Sequence, residues 1–363
     1  DPNDAEKIVH IRNSLSGSRS LILFQGTYNA SNDFEVENGH DVLVKFDGGG
    51  TGATVTQVLS QVQMGGITSD GGTIKLDGNY PVGATNVALG DTALDSLTSG
   101  NQNTAIGNVA LTANTTGVRN TAVGSNALET NVSSEGNTAL GYAALYLNTG
   151  ASNVAVGRSA LENNTTASNN TAVGYQAGYS NTTGGINTAT GVQALYTNTE
   201  GYQNNAYGYQ ALYLNTTGFQ NNAFGVEALE NNTTGSYNTA VGDSALRLNT
   251  TASDNTAVGY QAGYTNQTGA GNVFIGKDSG RTSNASGNAY NTLVGSGAGY
   301  SLTTGISNTF IGSSATVNSS GYYVTTGSNN TILGGYSGNQ GGLDIRTLSN
   351  FIVLSDGVGN PRV

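Results

Sequence analysis

One sentence of seventeen residues is written over and over in this chain, and nothing else in the sequence limits the fold as sharply. Asn170 to Ile186 reads NTAVGYQAGYSNTTGGI, and Asn255 onward reads NTAVGYQAGYTNQTGAG. The Gly that follows an apolar residue serves as a ruler. It falls at Gly90, Gly107, Gly124, Gly141, Gly157, Gly174, Gly191, Gly208, Gly225, Gly242, Gly259, Gly276, Gly295, Gly312 and Gly334. Eleven of the fourteen spacings are 17; the others are 16, 19 and 22. Four residues before the ruler there is always Asn, from Asn86 to Asn330. Three residues after it stands Ala, or Ser at Ser279 and Ser337. Coils six and eleven share NTAVGYQAGY, which reads as the duplication of a five-coil block.

A unit of 17 is too short for two helices and their turns, which need more than 30 residues. TAVG and ALYLN are short, β-compatible and bounded by turn residues. The repeat therefore predicts two short strands and two turns per coil, stacked as an all-β, elongated parallel β-solenoid of about 15 coils. At roughly 4.8 Å per coil the stack would run about 70 Å. Composition agrees: 54 Gly with abundant Asn and Thr supply turns, while 10% charged residues and 3 Pro are unlike a disordered tail.

Stacking puts equivalent residues in columns. Asn103, Asn120, Asn137, Asn153, Asn170, Asn187, Asn204, Asn221, Asn238 and Asn255 form one, a predicted structural ladder whose amides bond to one another and to turn backbone. A second runs from Asn114 to Asn266. The ruler Gly residues are expected to need φ > 0 or close backbone approach. In TAVG, adjacent residues point to opposite faces, and both faces are mostly apolar. One face lines the coil; the other needs a cover, and another copy of the chain is the economical one. Which face turns inward stays open. In coils twelve to fifteen the Ala becomes Phe274, Leu293, Phe310 and Ile332 while Leu gives way to Gly280, Gly299, Thr316 and Gly338, so bulk moves from one strand to the other.

The first 85 residues lack the repeat. The predicted organisation is a small β module at 1–46, a Gly-rich connector with short strands at 47–85, the solenoid at 86–345 and a connecting segment at 346–363. SLILFQGTY and HDVLVKF read as strands, and GGTIKLDGNYP as a strand with an Asp-Gly turn. The chain starts DPNDAEK, without Met or a leader pattern, and is expected to be a fragment or a processed product.

Chemistry is sparse. His10 and His40 lie outside the repeats with no convergent acid, and DGGGTG lacks the Lys of a phosphate loop. Glu162 and Glu230 share a coil position but stand four coils apart, about 19 Å, too far for a glycosidase pair. Asp70, Asp77 and Asp356 precede Gly without the regular Asp ladder of calcium β-rolls. The expectation is no enzyme, no metal and no cofactor. A net charge of -11 disfavours nucleic acid, the absence of Cys rules out disulfides, and no apolar run reaches the roughly 20 residues of a membrane helix. Tyr146, Tyr179, Tyr196, Tyr213 and Tyr264, with Tyr300, stand five residues after the ruler. They form a candidate glycan-contact stripe or else a ladder that only stabilises the stack.

NVAVG, NTAIG and NVFIG resemble the left-handed parallel β-roll repeats of trimeric autotransporter adhesin heads, whose coil is 14 residues rather than 17. The longer run NTAVGYQALYxNTTG, with NFIVLSDGVGNPRV at Asn350 to Val363, looks more like the repeat regions of phage tail-fibre proteins. The resemblance covers about three quarters of the chain. It implies a homotrimeric, virion-located fibre shaft that joins other fibre or baseplate proteins and meets a host-surface glycan or protein. The alternatives are a bacterial cell-surface trimeric adhesin head, an ice-binding solenoid built on Thr columns, and a polysaccharide depolymerase. The Thr columns are interrupted by Val154, Asn205, Asn222 and Val273.

Overall fold

The computed structural model describes five strands within residues 7–59, and then residues 85–313 and 319–362. The chain divides into two units, Asp1–Ile74 and Lys75–Val363. In the first, β1 (Lys7–Arg12), β4 (Asp41–Phe46) and β5 (Val55–Leu59) form an antiparallel sheet, and β2 (Leu21–Phe24) pairs with β3 (Asp33–Val36). SLILF and HDVLVKF thus each contain a strand. GGTIKLDGNYP lies outside the described residues.

The second unit is a parallel β-solenoid. Each coil contributes one three-residue strand, from β6 (Val87–Leu89) through β16 (Thr256–Val258), then β18 (Val273–Ile275), β20 (Thr292–Val294), β21 (Thr309–Ile311) and β22 (Thr331–Leu333). Each of these strands pairs in parallel with that of the next coil in strict register, Ala on Ala as far as Ala257, then Ala257 on Phe274, Phe274 on Leu293, Leu293 on Phe310 and Phe310 on Ile332. The sheet runs on past residue 345: β25 (Ile352–Ser355) pairs with β22 and adds a further rung. The short antiparallel β26 (Pro361–Arg362) then ends it. Asp356 ties that last turn. It accepts the backbone N–H groups of Asn360 and Val358 and the Arg362 guanidinium, and these bonds, Asn360 foremost, hold its carboxyl down at about 2. Two small pairs lie beside the main sheet, parallel β17 (Gly269–Ala270) with β19 (Gly287–Asn288), and antiparallel β23 (Asn339–Gln340) with β24 (Leu343–Asp344).

Among the described residues the expected second strand is absent. ALYLN and its equivalents are turn, because residues two and four after the ruler adopt left-handed backbone, as in Gln193 (φ 55°) and Leu195 (φ 55°). The alternation has a consequence in hydrogen bonding. The N–H of Asn126 points down to Asn108 C=O (3.0 Å) and that of Leu128 points up to Ala144 C=O (3.0 Å). The turn therefore bonds the coils on both sides without being a strand. Left-handed backbone costs an L-residue roughly 1–2 kcal/mol, and burying the Leu side chain returns about 1.5–3 kcal/mol. A seventeen-residue coil has no room for a wide bend, so the corners take this form.

The ruler Gly needs its identity. Gly191 sits at φ 136°, and a Cβ there would run into the Gly208 carbonyl of the next coil.

The middle Ala of each strand is the inward residue. Ala122, Ala172 and Ala206 are fully buried, together with the Ala and Leu of the following turn, such as Ala211 and Leu212. The residues flanking that Ala face out. Bulk is exchanged inside the coil at Phe274 and Leu293 as expected, though between a strand and a turn, whereas Gly338 lies against Val324 rather than Ile332. Phe274 is buried, and a Cβ on Gly263 or Gly280 would strike its ring; Leu293 faces Gly299, and Phe310 faces Gly321. The Gly opposite Phe310 is Gly321; Thr316 lies outside the described residues.

The remaining interior is amide. Asn103, Asn120, Asn137, Asn153, Asn170, Asn187, Asn204, Asn221, Asn238 and Asn255 are all buried. In this column each side-chain oxygen accepts the N–H of the next Asn, as Asn120 N–H to Asn103 Oδ1 (3.0 Å), and each Nδ2 up to Asn238 donates to a turn carbonyl one coil on, as Asn103 to Gly117 (2.9 Å). The second column bonds amide to amide. Asn198 Nδ2 donates to Asn181 Oδ1 (2.7 Å) and Gly201 C=O (2.9 Å), and Asn198 Oδ1 accepts from Asn215 (2.7 Å). Bonding of this kind is what lets buried polar groups persist, and within the column only Asn131, Asn249 and Asn266, among the described residues, leave the side-chain oxygen without a partner. Outside the ladder, Thr residues clamp neighbouring coils, as Thr182 Oγ1 to Thr199 C=O (2.9 Å).

Candidate functional site

No cluster of three or more His, Cys, Asp or Glu able to hold a metal occurs among the described residues, and no helix there is long and apolar enough to cross a membrane. Asp356 is engaged as described above; Asp70 and Asp77, like both His residues, have no described side chain. What the fold offers instead is columns on its outer surface.

The column five residues after the ruler mixes Tyr with charge. Tyr146, Tyr179, Tyr196, Tyr213 and Tyr264 are all half-buried. Tyr179 and Tyr196 stack at 5.2 Å between centroids, and Tyr196 and Tyr213 at 5.1 Å. Burial raises the Tyr196 hydroxyl above its ordinary value, assisted by Tyr179 and Tyr213. The three rings turn their faces on one another, the geometry of a stabilising ladder, and the Tyr179 hydroxyl donates to Glu162 (3.5 Å). Tyr264 instead meets charge. Arg247 donates to its hydroxyl (3.4 Å) and pairs with Glu230 and Glu227; the Glu230 bond raises the guanidinium further. Arg281 lies over Tyr300 and donates to its hydroxyl (2.6 Å). Tyr146 has neither ring nor ion contact of this kind among the described residues. The structure thus brings three of the five Tyr candidates together.

A parallel amide column was not singled out in the sequence. Gln193 Nε2 donates to Gln176 (3.1 Å) and Gln210 Nε2 to Gln193 (3.0 Å). Reading every position by its offset from the ruler would have found it. On the column just after the ruler, Arg158 lies between the exposed rings of Tyr142 and Tyr175, 5.9 and 5.8 Å from their centroids.

The outer face of the sheet is the largest continuous feature. Three residues before the ruler stand Thr, Val or Ile, with Asn at Asn205 and Asn222; one before it stand Leu89, Ile106, Val123, Leu140, continuing to Leu333 and Leu354. Neither column holds a charge on any rung. The apolar column is open to solvent: Val173 is 38% exposed, Val241 38%, Ile311 42% and Leu354 48%. Parallel sheets ordinarily have both faces covered.

Comparisons with protein-family models, with curated proteins and with solved structures give no match to this chain. The class is therefore defined by the fold alone, a parallel β-solenoid of about 17-residue coils.

Proposed function

We propose that this chain is the shaft of a phage tail fibre, a left-handed β-roll that associates as a homotrimer and contributes to attachment at the host surface. The observation that carries the reading is the uncharged, exposed outer face of the sheet. A stripe of this length exceeds the patches that monomers normally leave open, and the coil interior is already filled by Ala, Leu and Asn. The stacked columns of Asn, Thr and Tyr give the mechanical continuity of a shaft. Other fibre or baseplate proteins would be its neighbours in the virion, and a glycan or protein its contact on the host.

Immunogold electron microscopy with antibodies against the chain tests the assignment. Gold on the tail fibres of virions supports it. Gold on bacterial cell surfaces with virions unlabelled would transfer the chain to the alternative class, a surface adhesin head.

A further inference from the structure

We infer that two adjacent rungs, Asn205–Tyr207 and Asn222–Phe224, set the axial register between copies of this chain across the outer face of the sheet. The inference rests on the proposed self-association.

The occupant of that face is argued from size and period. The two outer columns run about 75 Å over the stacked rungs and about 10 Å across, on the order of 750 Å² per copy, close to the roughly 800 Å² per partner of a standard interface. The columns repeat at every rung of the parallel sheet. Only a partner with the same spacing of about 4.8 Å keeps contact along the whole length, and a second copy has it by construction. Both columns lack charge, so like meets like without repulsion.

A uniform face has a defect. With Thr or Val in one column and an aliphatic residue, or Thr at Thr190, in the other over most rungs, a copy displaced by one rung meets nearly the same surface, and loses little beyond the contacts of one terminal rung. Weakly specified register of this kind permits slippage. The sequence departs from uniformity in both columns on the same two rungs. Asn replaces Thr only at Asn205 and Asn222, and an aromatic replaces the aliphatic residue only at Tyr207 and Phe224. Tyr207 and Phe224 stack at 4.8 Å and are 39% and 40% exposed. Asn205 Nδ2 donates to Asn222 Oδ1 (2.8 Å). Asn205 Oδ1 and Asn222 Nδ2 have no bond within the chain among the described residues, which leaves one acceptor and one donor on the outer face. Tyr202 and Phe219 stack at 4.9 Å on the turns that precede these same strands.

The physical logic is that of a polar residue in an otherwise apolar seam. Amides matched across an interface keep their bonds, whereas an amide set against Val leaves a donor and an acceptor desolvated, and one set against Thr meets a single short hydroxyl in place of a matching amide. The aromatic pair adds a bulge that fits its own counterpart and overlaps aliphatic rungs badly when displaced.

The test uses the full chain, which has no Cys, with one spin label at Thr183→Cys on an exposed turn. Pulsed electron–electron dipolar spectroscopy then reads the distances between copies. The native columns should give one narrow distance. The variant Asn205→Thr, Tyr207→Val, Asn222→Thr, Phe224→Val rewrites both rungs to the residues of their neighbours. It should stay folded by circular dichroism and remain associated, while its distances broaden into several populations, one for each axial slip by whole rungs of about 4.8 Å, added in quadrature to the native separation. The milder Asn205→Thr, Asn222→Thr variant should broaden the distribution while keeping the aromatic pair, and it carries the test should the fourfold variant fold poorly. An associated variant that keeps the single native distance overturns the register role alone. A native chain with no distance between copies at all overturns the self-association beneath it as well.

Discussion

Phe274 fills a space that elsewhere in the coil stack belongs to Leu, and the exchange predicts a strong energetic coupling. Phe274 is fully buried, and Gly263, one coil earlier, lies against its ring. Phe274→Ala alone leaves a cavity and should cost about 3–5 kcal/mol. Gly263→Leu alone drives a side chain into the ring and should cost about 1–3 kcal/mol or more. Together the two changes recreate an arrangement the chain already uses. The leucine introduced at position 263 would follow Leu246 as Leu246 follows Leu229. The alanine introduced at position 274 would stand near Gly280 much as Ala172 stands near Gly178. Volume is nearly conserved, so the double variant should lose less than about 1.5 kcal/mol. The coupling between the sites should then reach about 3 kcal/mol, the upper end for residues in contact. Guanidinium unfolding of the four proteins at one fixed concentration measures it, with the fixed concentration removing any contribution from association. A double variant whose loss equals the sum of the single losses would show that the two sites do not share one space, and the account of the core exchange would fail.

Two further outcomes follow from the buried polar groups. Asn198→Ala removes two donated bonds and one accepted bond and strands Asn181 Oδ1, while Gly201 C=O keeps Asn187 Nδ2 and Asn215 Nδ2 keeps Gly218 C=O. It should cost about 2 kcal/mol, against less than about 0.5 kcal/mol for the exposed Asn101→Ala, as measured by unfolding midpoints. Burial pushes the Tyr336 hydroxyl up to about 12, above its ordinary value near 10, and the hydroxyl donates to Leu343 C=O (2.7 Å). The neutral form is favoured in the fold, so the stability it contributes is complete below pH 10 and is lost as pH rises from 10 to 12, on the order of 2 kcal/mol. In unfolding titrations Tyr336→Phe should flatten that alkaline decline while costing about 1 kcal/mol at neutral pH; an unchanged decline would show that another group carries it.

Much of the solenoid was legible because stacking turns a linear period into columns. The ruler Gly and the two Asn ladders follow from spacing once coils are laid on one another, whereas the inward turn of the strand Ala is visible only in its burial. Even the exchange of Phe274 for neighbouring Leu could be read as conserved volume. The second strand could not. Propensity gives Leu195 and Gln193 no reason to adopt positive φ, since isolated L-residues avoid it. The preference comes from the neighbouring coils, whose carbonyls above and below receive alternate N–H groups. The Gln176, Gln193 and Gln210 column and the paired change at Asn205, Tyr207, Asn222 and Phe224 were present in the repeat text. They emerge only when two columns are read against each other, because each substitution alone looks like ordinary surface variation.

The account turns on the outer face of the sheet being covered by sister chains, and sedimentation equilibrium of the full chain measures this directly. One chain weighs 36.8 kDa. The predicted result is a single species of three times that mass, persisting at micromolar concentration. In Val241→Asp, which places a charge in the apolar column, association should weaken by at least about tenfold, the effect of roughly 1.4 kcal/mol. A native chain sedimenting at 36.8 kDa with the face bare to water would contradict the account.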